Sequence, residues 1–390
     1  MISGVSRNVF LLALVSFLTD ISQEMLYPIV PLFLTQTLGA SVAAVGWIEG
    51  LAETAAHLLR GVSGWLSDKT GVRKPFALAG YGISAFTRPM LALTTGMGGV
   101  LAARLLDQFG KGIRSMARDA LIADSSTGLS RGRAFGFHRS ADQLGATIGP
   151  LLALPLLAWF GGSYRAVFLA AFVPAAIGVA VLFLVREPES PVRGPVAGDV
   201  DHSTLPRNYR KFLMVAILFA LGNSSNAFLL LRAKQLGASE TEIVTMFALY
   251  NLGTVLSGYP AGILSDRLGR RMVVIASFWM FAAVYLLFGV LGSATWLWLL
   301  FPAYGIYRGI GDGNTKALAV DLAPQAGRGT VLGMLSMVNG LAALPASVLA
   351  GLLWERVGPE APFLLGAATA ALAGLLLAVM IRGNVAELRN

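Results

Sequence analysis

Long apolar runs separated by short polar stretches recur along almost the whole chain. Each run is roughly 20 residues or longer, which is the length an α-helix needs to cross about 30 Å of hydrocarbon. Because backbone groups in lipid must find partners within their own segment, the pattern predicts membrane-spanning helices. The twelve predicted spans are 9–35, 42–67, 75–95, 98–117, 134–160, 165–186, 211–233, 239–265, 272–292, 295–316, 329–354 and 361–382.

One long polar stretch interrupts the pattern between Arg186 and Arg210, and it is rich in proline, glycine and charged residues. Such a composition is typical of a linker. We therefore predict an N-terminal six-helix bundle at 1–187, a cytoplasmic linker at 188–209 and a C-terminal six-helix bundle at 210–390. The expected fold class is an all-α polytopic membrane protein with twelve transmembrane helices in two pseudo-symmetric bundles.

Composition agrees with this fold class. Of the 390 residues, 55% are hydrophobic and 13% are charged, whereas soluble domains carry about 25% charged residues. The formal charge of +9 does not indicate a nucleic-acid partner, because basic residues of membrane proteins collect on the cytoplasmic side. With both termini in the cytoplasm, few basic residues fall in the segments of the opposite side: Arg165, Arg232, Lys234 and Arg356. The chain has no cysteine, which excludes disulfides and thiolate metal sites.

A polar loop between the second and third spans occurs again between the eighth and ninth. The two copies read Gly64-Trp-Leu-Ser-Asp68-Lys-Thr-Gly71-Val-Arg73 and Gly262-Ile-Leu-Ser-Asp266-Arg-Leu-Gly269-Arg270. Their glycines are offset by 262 − 64 = 198 and their aspartates by 266 − 68 = 198 residues. A second motif keeps nearly the same spacing, since Asp124 and Asp321 are 321 − 124 = 197 residues apart. Two motifs in register indicate an internal duplication.

The repeated loop resembles the signature loop between the second and third helices of each half of the major facilitator superfamily. The resemblance implies a secondary transporter that works as a monomer and alternates between inward and outward states, with no cofactor. It also implies a cytoplasmic latch, in which Asp68 pairs with Arg114 or Arg118. The expected latch residues are Gly64, Asp68, Gly71, Arg73, Arg114, Arg118, Gly262, Asp266, Gly269 and Arg270.

Simple chemistry supports parts of this latch. Gly64 and Gly262 permit close helix approach, and Gly71 and Gly269 permit a turn that larger residues resist. A carboxylate at a helix end accepts hydrogen bonds from a neighbouring helix or pairs with arginine. The alternative is a static basic loop that only sets the membrane orientation.

Ionisable residues inside the first span are candidates for proton transfer, because a charge at membrane depth is costly. Asp20, Glu24 and Tyr27 are spaced i, i+4 and i+7 and therefore share one helix face. Two partly desolvated carboxylates four residues apart repel when both are ionised, so one of them is expected to hold a proton. The alternative is a carboxylate permanently paired to a basic neighbour. The second span repeats the spacing with Glu49, Glu53, His57 and Arg60, for which a structural network is an equal alternative.

The fourth span carries a polar stripe that must face a water-filled cavity or acidic partners. Its members fall within roughly 120° of arc at 100° per residue; they are Arg104, Asp107, Gln108, Lys111, Arg114 and Arg118. Arg104 resembles the family's fourth-helix arginine, which is associated with proton coupling, although Gln108 stands where the family usually has glycine. The excess of cations suggests an anionic or zwitterionic substrate group, unless Asp20 and Glu24 neutralise them.

The fifth span holds His138, Arg139 and Asp142. They are followed by Gly145-Ala-Thr-Ile-Gly149-Pro150, which resembles the motif that marks antiporters of the superfamily. The final glycine pair of that motif is missing. The alternative is a general Gly-x-x-x-Gly packing motif, in which glycines permit tight helix contact and proline bends the helix.

These patterns predict a proton-coupled exporter of a small molecule in a bacterial cytoplasmic membrane. No Walker-type loop, His-Glu-x-x-His or nucleophile elbow is present, so neither ATP use nor enzymatic hydrolysis is expected. The expected proton-coupling residues are Asp20, Glu24, Arg104, Asp107, Glu53 and Asp142. The expected substrate-cavity residues are Tyr27, His57, Gln108, Lys111, His138, Arg139, Asn223, Asn226, Arg308, Asp312 and Asn339.

Three alternatives stay open. One is proton-coupled uptake or exchange of an anionic metabolite, bound by residues drawn from Arg104, Lys111, Arg139 and Arg308. A second is divalent-metal transport, with Asp20, Glu24, Glu53 and His57 as ligands, although no resident metal site is assigned. A third is a membrane scaffold or sensor, which the pair of latch loops argues against.

Overall fold

The computed structural model describes residues 6–70, 73–126, 131–187, 206–323 and 328–381, and of residues 60–70, 116, 131–132 and 328–330 the backbone only. Every regular element in these residues is helical. The helices are α1 Arg7–Leu26, α2 Val30–Leu32, α3 Val42–Thr70, α4 Lys74–Leu93, α5 Met97–Asp124, α6 Arg131–Trp159, α7 Tyr164–Phe183, α8 Arg207–Gly222, α9 Ala227–Gln235, α10 Glu240–Leu268, α11 Arg270–Val290, α12 Leu297–Asp321, α13 Arg328–Arg356 and α14 Ala361–Met380.

Each of the twelve predicted spans coincides with a helical segment, and two of these segments are broken. The first breaks between α1 and α2 and then continues as a π-helical turn, Phe33–Thr37. The seventh breaks between α8 and α9, where Asn223 ends one helix and Asn226 begins the next. The largest boundary error is at α5, which runs 124 − 117 = 7 residues past its predicted end. The apolar stretch of the sequence ends near residue 117, whereas helix α5 continues to Asp124.

Seven helical segments among the described residues are long and apolar enough to cross a membrane by length and composition alone. The other five spans, formed by α3, α4, α5, α10 and α12, fall short of that criterion. Several of them hold ionisable side chains, such as Glu53, Arg88, Asp107 and Arg308. Lower hydropathy therefore coincides with candidate functional chemistry.

The chain divides into two compact units. The first unit comprises Met1–Ala40 and Ala55–Val196, and the second comprises Ser41–Thr54 and Ala197–Asn390. The start of α3 therefore groups with the second unit: the backbone N–H of Ala43 donates to Glu355 over 2.9 Å, and the Thr54 hydroxyl donates to the Gly340 carbonyl over 2.7 Å. The predicted boundaries at 187 and 210 stay a prediction.

In the first unit, α1 packs on α6 and α7, and α4 packs on α5 and α7. Glycine permits the closest contacts. A Cβ built at Gly80 would lie 2.6 Å from the Gly110 carbonyl oxygen, and one built at Gly110 would lie 2.6 Å from that of Gly80. Real side chains do not approach this closely, so α4 and α5 touch through their backbones at this point.

In the second unit, α12 packs on α10 and α11, while α14 packs on α8 and α11. The closest contacts are again made by glycines. A Cβ at Gly305 would meet the Tyr250 carbonyl group, and one at Gly309 would lie 2.5 Å from the Thr254 carbonyl oxygen. Gly305 and Gly309 form a Gly-x-x-x-Gly motif on α12 that sequence analysis did not single out.

The two predicted latch loops are described to different extents. Gly71 and the side chain of Asp68 lie outside the described residues, as does the surrounding of Gly64. Gly269 has φ +88°, so the expected turn is present there. The prediction of close helix approach at Gly262 is wrong, because no described atom lies within 4 Å of a Cβ built on Gly262.

In each unit, an arginine and an aspartate at equivalent positions of the repeat form an ion pair. Arg73 Nε lies 2.9 Å from Asp124 Oδ2, and Arg270 Nη1 lies 2.5 Å from Asp321 Oδ1. The arginines are 270 − 73 = 197 residues apart, as are the aspartates. The two sequence motifs therefore meet in space within each unit, a pairing that sequence analysis did not predict. Asp266 is exposed.

Candidate functional site

A buried polar network crosses the first unit, with members on α1, α4, α5 and α6. The Ser16 hydroxyl lies 3.1 Å from the Tyr81 hydroxyl and 2.8 Å from His138 Nε2. His138 Nδ1 lies 3.6 Å from Asp142 Oδ2, and Arg118 Nη1 lies 3.9 Å from the same oxygen. His138 is thus buried in an internal hydrogen-bonded network, and its expected role in a substrate cavity stays a prediction.

Asp142 is the carboxylate at the centre of this network. Its Oδ1 atom is buried and has no hydrogen-bond partner among the described residues. Asp20 lies close enough to repel it electrostatically, whereas Arg118, Arg139 and Arg114 attract it. Arg118 is shared, because its Nη2 also lies 2.9 Å from Asp119 Oδ1. Asp20 of α1 and Asp142 of α6 therefore act on each other electrostatically.

Gly145 and Gly149 bring these carboxylates together. A Cβ at Gly145 would lie 2.5 Å from the Phe17 carbonyl oxygen and 3.2 Å from the Cβ of Asp20. A Cβ at Gly149 would lie 2.9 Å from the Cβ of Glu24. The motif thus places α6 directly against the acidic face of α1, and α6 continues through Pro150 without ending.

A second buried cluster surrounds Asp107 on α5. Arg88 of α4 places Nη1 3.0 Å from Asp107 Oδ1, with side chains 2% and 6% exposed. Arg88 Nε donates to the Ser22 hydroxyl over 3.1 Å and Nη1 donates to the Thr87 hydroxyl over 2.9 Å. Arg88 Nη2 has no hydrogen-bond partner among the described residues. Sequence analysis missed Arg88, although an arginine inside a predicted span was signal enough.

Cations outnumber carboxylates in this cluster. Arg88, Arg104, Arg114 and Lys111 all attract Asp107. Arg114 Nη2 donates to Gln23 over 3.3 Å, and its guanidinium lies 4.7 Å from the centre of the Tyr81 ring. Its Nε atom has no partner among the described residues. The predicted pairing of Asp68 with Arg114 or Arg118 stays a prediction.

The structure separates some of the residues expected to act together. Glu53 groups with the second unit, where it acts electrostatically on Tyr285, and its expected role in proton coupling stays a prediction. Arg139 is exposed, and Gln108 has a buried Oε1 atom with no partner in the described chain. The described residues bring together no group of three or more histidine and carboxylate side chains able to hold a metal ion. Partly buried positions are found for Glu24, Tyr27, His57, Lys111, Asn223 and Asn339.

The second unit contains a small pocket, with no space for a water molecule, beside the break between α8 and α9. It is lined by Asn226, Leu229, Phe247, Tyr250, Phe301 and Tyr304. The Tyr304 hydroxyl donates to Asn226 Oδ1 over 2.9 Å, and Asn226 Nδ2 donates to the Tyr250 hydroxyl over 3.4 Å. Asn226 lies in this pocket, and its expected role in a substrate cavity stays a prediction.

Tyrosine rings continue behind the pocket. Tyr250 and Tyr304 stack with ring centres 5.5 Å apart, and Tyr285 and Tyr307 lie 5.8 and 5.3 Å from Tyr304. Sequence analysis did not single out Tyr250, Tyr285 or Tyr304, because aromatic residues in an apolar span look like core. Arg308 and Asp312 pair with each other over 3.4 Å, with side chains 41% and 55% exposed.

Comparison with known proteins identifies the fold. The family model of the Major Facilitator Superfamily matches residues 12–230 and 212–390, so the chain belongs to this superfamily of transporters. The crystal structure of the nucleoside transporter NupG superposes with a TM-score of 0.79 at 15% identity, covering 96% of this chain and 100% of that one. This likeness shows the fold alone. The predicted family and fold class are confirmed.

Relatives similar in sequence extend over most of the chain. An uncharacterized MFS-type transporter of Methanocaldococcus jannaschii is 35% identical over 378 residues, 95% of this chain and 94% of the relative. A probable 4-methylmuconolactone transporter of Cupriavidus pinatubonensis is 27% identical, covering 91% and 86%. The fosmidomycin resistance protein of Escherichia coli is 25% identical, covering 85% and 80%. The chain is an integral membrane transporter.

Proposed function

We propose that this transporter is a proton-coupled antiporter that exports a small organic molecule. The observation that carries the proposal is that Asp20 on α1 packs against Gly145 of α6, three residues after Asp142, and that the two carboxylates act on each other electrostatically. A proton on one of them relieves their repulsion, and Arg118 stabilises the other as an anion. Proton binding therefore changes the force between α1 and α6.

The surroundings of Asp142 favour reversible protonation over a permanent ion pair. Arg118 lies 3.9 Å away and makes its shorter contact, 2.9 Å, with Asp119. His138 and Arg139 are the other basic groups that face Asp142 from its own helix. Because one oxygen of Asp142 makes no hydrogen bond within the described chain and its counter-ion is distant, protonation of Asp142 costs little interaction free energy.

The test uses the purified protein in liposomes that contain a pH-sensitive dye. A proton gradient is imposed, and fosmidomycin and 4-methylmuconolactone are added as probes, because relatives are named for them. We expect probe-dependent proton movement opposite in direction to the probe. Both Asp20→Asn and Asp142→Asn are expected to reduce it by at least about tenfold, since each removes one of the two carboxylates on which the proposal rests.

The matched control is Asp119→Asn, which removes a carboxylate that touches the same arginine but is 43% exposed. It is expected to keep proton movement near the wild-type rate. Probe flux without proton movement, unchanged in Asp142→Asn, contradicts proton coupling. Proton and probe moving in the same direction contradict export and favour symport.

A second candidate is transport of an organic anion in exchange for another anion. The observation that favours it is the cluster around Asp107, where Arg88 and Arg114 each keep a guanidinium nitrogen without a hydrogen-bond partner in the described chain. Guanidinium nitrogens in that state are suited to carboxylate or phosphonate oxygens. Anion exchange that persists without a proton gradient and falls in Arg88→Lys supports this candidate.

The proposal also includes the membrane orientation and the oligomeric state of the transporter. We propose that both termini lie in the cytoplasm of a bacterial cell, which the distribution of basic residues supports, and that the single chain with its two units is the transporting monomer. Labelling of single cysteines introduced near each terminus of this cysteine-free chain tests the orientation. Labelling from outside intact cells contradicts it.

A further inference from the structure

We propose that the start of α3 is bound to α13 by a reversible contact, which the Glu355 carboxylate stabilises and which opens during transport. All residues of this contact belong to the second unit, Ser41–Thr54 with Ala197–Asn390. The inference goes beyond the proposed function, because it concerns a movement of α3 and does not depend on the coupling ion. Sequence analysis expected a helix-end carboxylate of this kind at Asp68, near the end of α3, whereas Glu355 acts at its beginning.

The Glu355 carboxylate caps the N-terminus of α3. The backbone N–H of Ala43 donates to Glu355 Oε1 over 2.9 Å, and the Ser41 hydroxyl and the Val42 N–H interact with the same carboxylate. A negative charge is favourable there, because the first N–H groups of a helix have no partner within the helix. Glu355 is exposed, and electrostatic contacts of exposed side chains are weak enough to break and form again.

Below this cap, small residues bring the backbones of α3 and α13 together. Each step of three or four residues along α3 is matched by a similar step in the opposite direction along α13, so the two helices are antiparallel neighbours. The contacting pairs, in order along α3, are Ala43 with Gly351, Gly46 with Ser347, Gly50 with Leu344 and Thr54 with Gly340. A Cβ built at Gly351 would lie 2.7 Å from the Ala43 Cα. Backbone and small side chains form most of the contact, so few long side chains must repack when it opens.

The stiffness of α3 favours opening of the contact over bending of the helix. α3 passes from the second unit to the first between Thr54 and Ala55, and it is one uninterrupted helix, Val42–Thr70. Residues 51–60 read Leu-Ala-Glu-Thr-Ala-Ala-His-Leu-Leu-Arg, without glycine or proline. Sharp helix bends occur almost always at proline, at glycine or serine pairs, or at π-bulges. When one unit moves relative to the other, the start of α3 therefore separates from α13.

The first experiment measures the reactivity of a thiol at Ala43→Cys in this cysteine-free chain. Ala43 is 9% exposed, so a water-soluble maleimide reacts faster with the thiol when the contact opens. The full-length protein is labelled in lipid nanodiscs. We expect Glu355→Gln to raise the labelling rate about threefold, because the amide lacks the charge that is favourable at the helix N-terminus.

Glu242→Gln is the matched control. Glu242 is also an exposed carboxylate that accepts from a backbone N–H at a helix N-terminus, that of Ser239 over 2.8 Å, but it caps its own helix α10. Its substitution should leave the labelling rate of Ala43→Cys unchanged. Equal rates with and without Glu355→Gln overturn the assignment of Glu355.

The second experiment locks the contact. Ser41→Cys with Glu355→Cys places two thiols at exposed neighbouring positions, which a short, reducible bis-thiosulfonate joins. Flux of fosmidomycin and of 4-methylmuconolactone is measured in liposomes before crosslinking, after it, and after reduction. We expect crosslinking to lower the flux at least about tenfold and reduction to restore it, since alternating access requires the movement. Ser41→Cys alone, treated in the same way, should keep its flux.

Undiminished flux through the crosslinked protein overturns opening of the contact during transport. Failure of the proposed antiport has a different signature. If the wild type transports a probe without moving protons, and crosslinking stops that flux, proton coupling is wrong and the contact stands. If protons and probe still move after crosslinking, coupling stands and opening of the contact is wrong. The labelling rate needs neither probe nor protons, so it decides on Glu355 by itself.

Discussion

The two units place opposite chemistry at equivalent positions. In the first unit, Arg88 of α4 forms a buried ion pair with Asp107 of α5. At the repeat spacing of 197 residues, 88 + 197 = 285 and 107 + 197 = 304, and the second unit has Tyr285 and Tyr304 there. These two rings lie 5.8 Å apart in the same kind of helix contact. A charged pair and an aromatic pair therefore occupy one position of the repeat.

What the units share is equally informative. The arginine–aspartate pairs Arg73–Asp124 and Arg270–Asp321 are present in both. Duplication has therefore retained the pair at the helix ends, while the interior chemistry has diverged. At these equivalent positions the buried contact is therefore charged in the first unit and aromatic in the second.

The largest expected loss of stability follows from removing the Asp107 carboxylate from the buried ion pair of the first unit. Asp107→Asn leaves Arg88 beside the other basic groups that Asp107 now attracts. Breaking a buried pair in this way costs about 3–5 kcal/mol. Tyr304→Phe at the equivalent position loses one hydrogen bond, worth about 1 kcal/mol. Reversible unfolding in mixed micelles measures both, and equal losses contradict the comparison.

A somewhat smaller effect is expected where both units depend on glycine. Gly145→Leu forces a side chain into the Phe17 carbonyl, and Gly305→Leu forces one into the Tyr250 carbonyl. Overpacking of this kind costs about 1–3 kcal/mol. Gly136→Leu and Gly313→Leu, on the same two helices, meet no described atom within 4 Å and serve as controls. Controls that lose as much stability as the test variants rule out this explanation.

A sharper version of the comparison replaces the ion pair by apolar side chains. The double variant Arg88→Met with Asp107→Leu removes both charges and gives the first unit an apolar contact there, as in the second. Its stability should lie within about 1 kcal/mol of the wild type, since buried ion pairs are often replaceable. Anion-dependent flux should nevertheless fall. A double variant as unstable as Asp107→Asn contradicts this prediction.

The smallest effect is the pH dependence of one ion pair of the second unit. The Glu360 carboxylate accepts a hydrogen bond from its own backbone N–H and from Arg232 at 2.9 Å, which holds the pKa of Glu360 below its usual value. Its contribution is present above the unfolded pKa of about 4.3 and is lost as pH falls through the lower folded pKa. In the first unit, Arg165 donates to the Ala92 carbonyl, which does not titrate.

Thermal unfolding of wild type and Glu360→Gln between about pH 3 and 7 tests this prediction. The Glu360 side chain is 47% exposed, so the difference at neutral pH should be below about 1 kcal/mol. It should vanish at the acidic end, where the wild-type carboxyl is protonated. A difference that grows on acidification has the wrong sign for this ion pair.

Hydropathy and the repeated loop were sufficient to predict the family, the fold class and the approximate helices, because these depend on local composition. The breaks at α1 and α8 were not predicted, since a helix interrupted for three or four residues keeps its apolar average. Helical periodicity predicted which ionisable residues share a face of one helix. It did not predict the contact between Arg88 and Asp107, because no periodicity relates residues on different helices.

The same limit applies to Tyr304 and Tyr285. A tyrosine in an apolar helix is equally consistent with core packing and with a pocket wall, and only its contact with Asn226 distinguishes Tyr304. Glu53 was grouped with the N-terminal carboxylates because it precedes the linker, whereas its part of α3 packs with the second unit. Chain order therefore misleads where a single helix contributes to two units.

The glycine contact between α1 and α6 also has a mechanical consequence. At Gly145 and Gly149 the backbone of α6 sits within the side-chain layer of α1, so neither helix slides along the other without a collision. We therefore expect α1 and α6 to move together as one rigid unit. Under the proposed coupling, a proton on Asp142 of α6 would therefore act on the whole of α1, which ends at Tyr27.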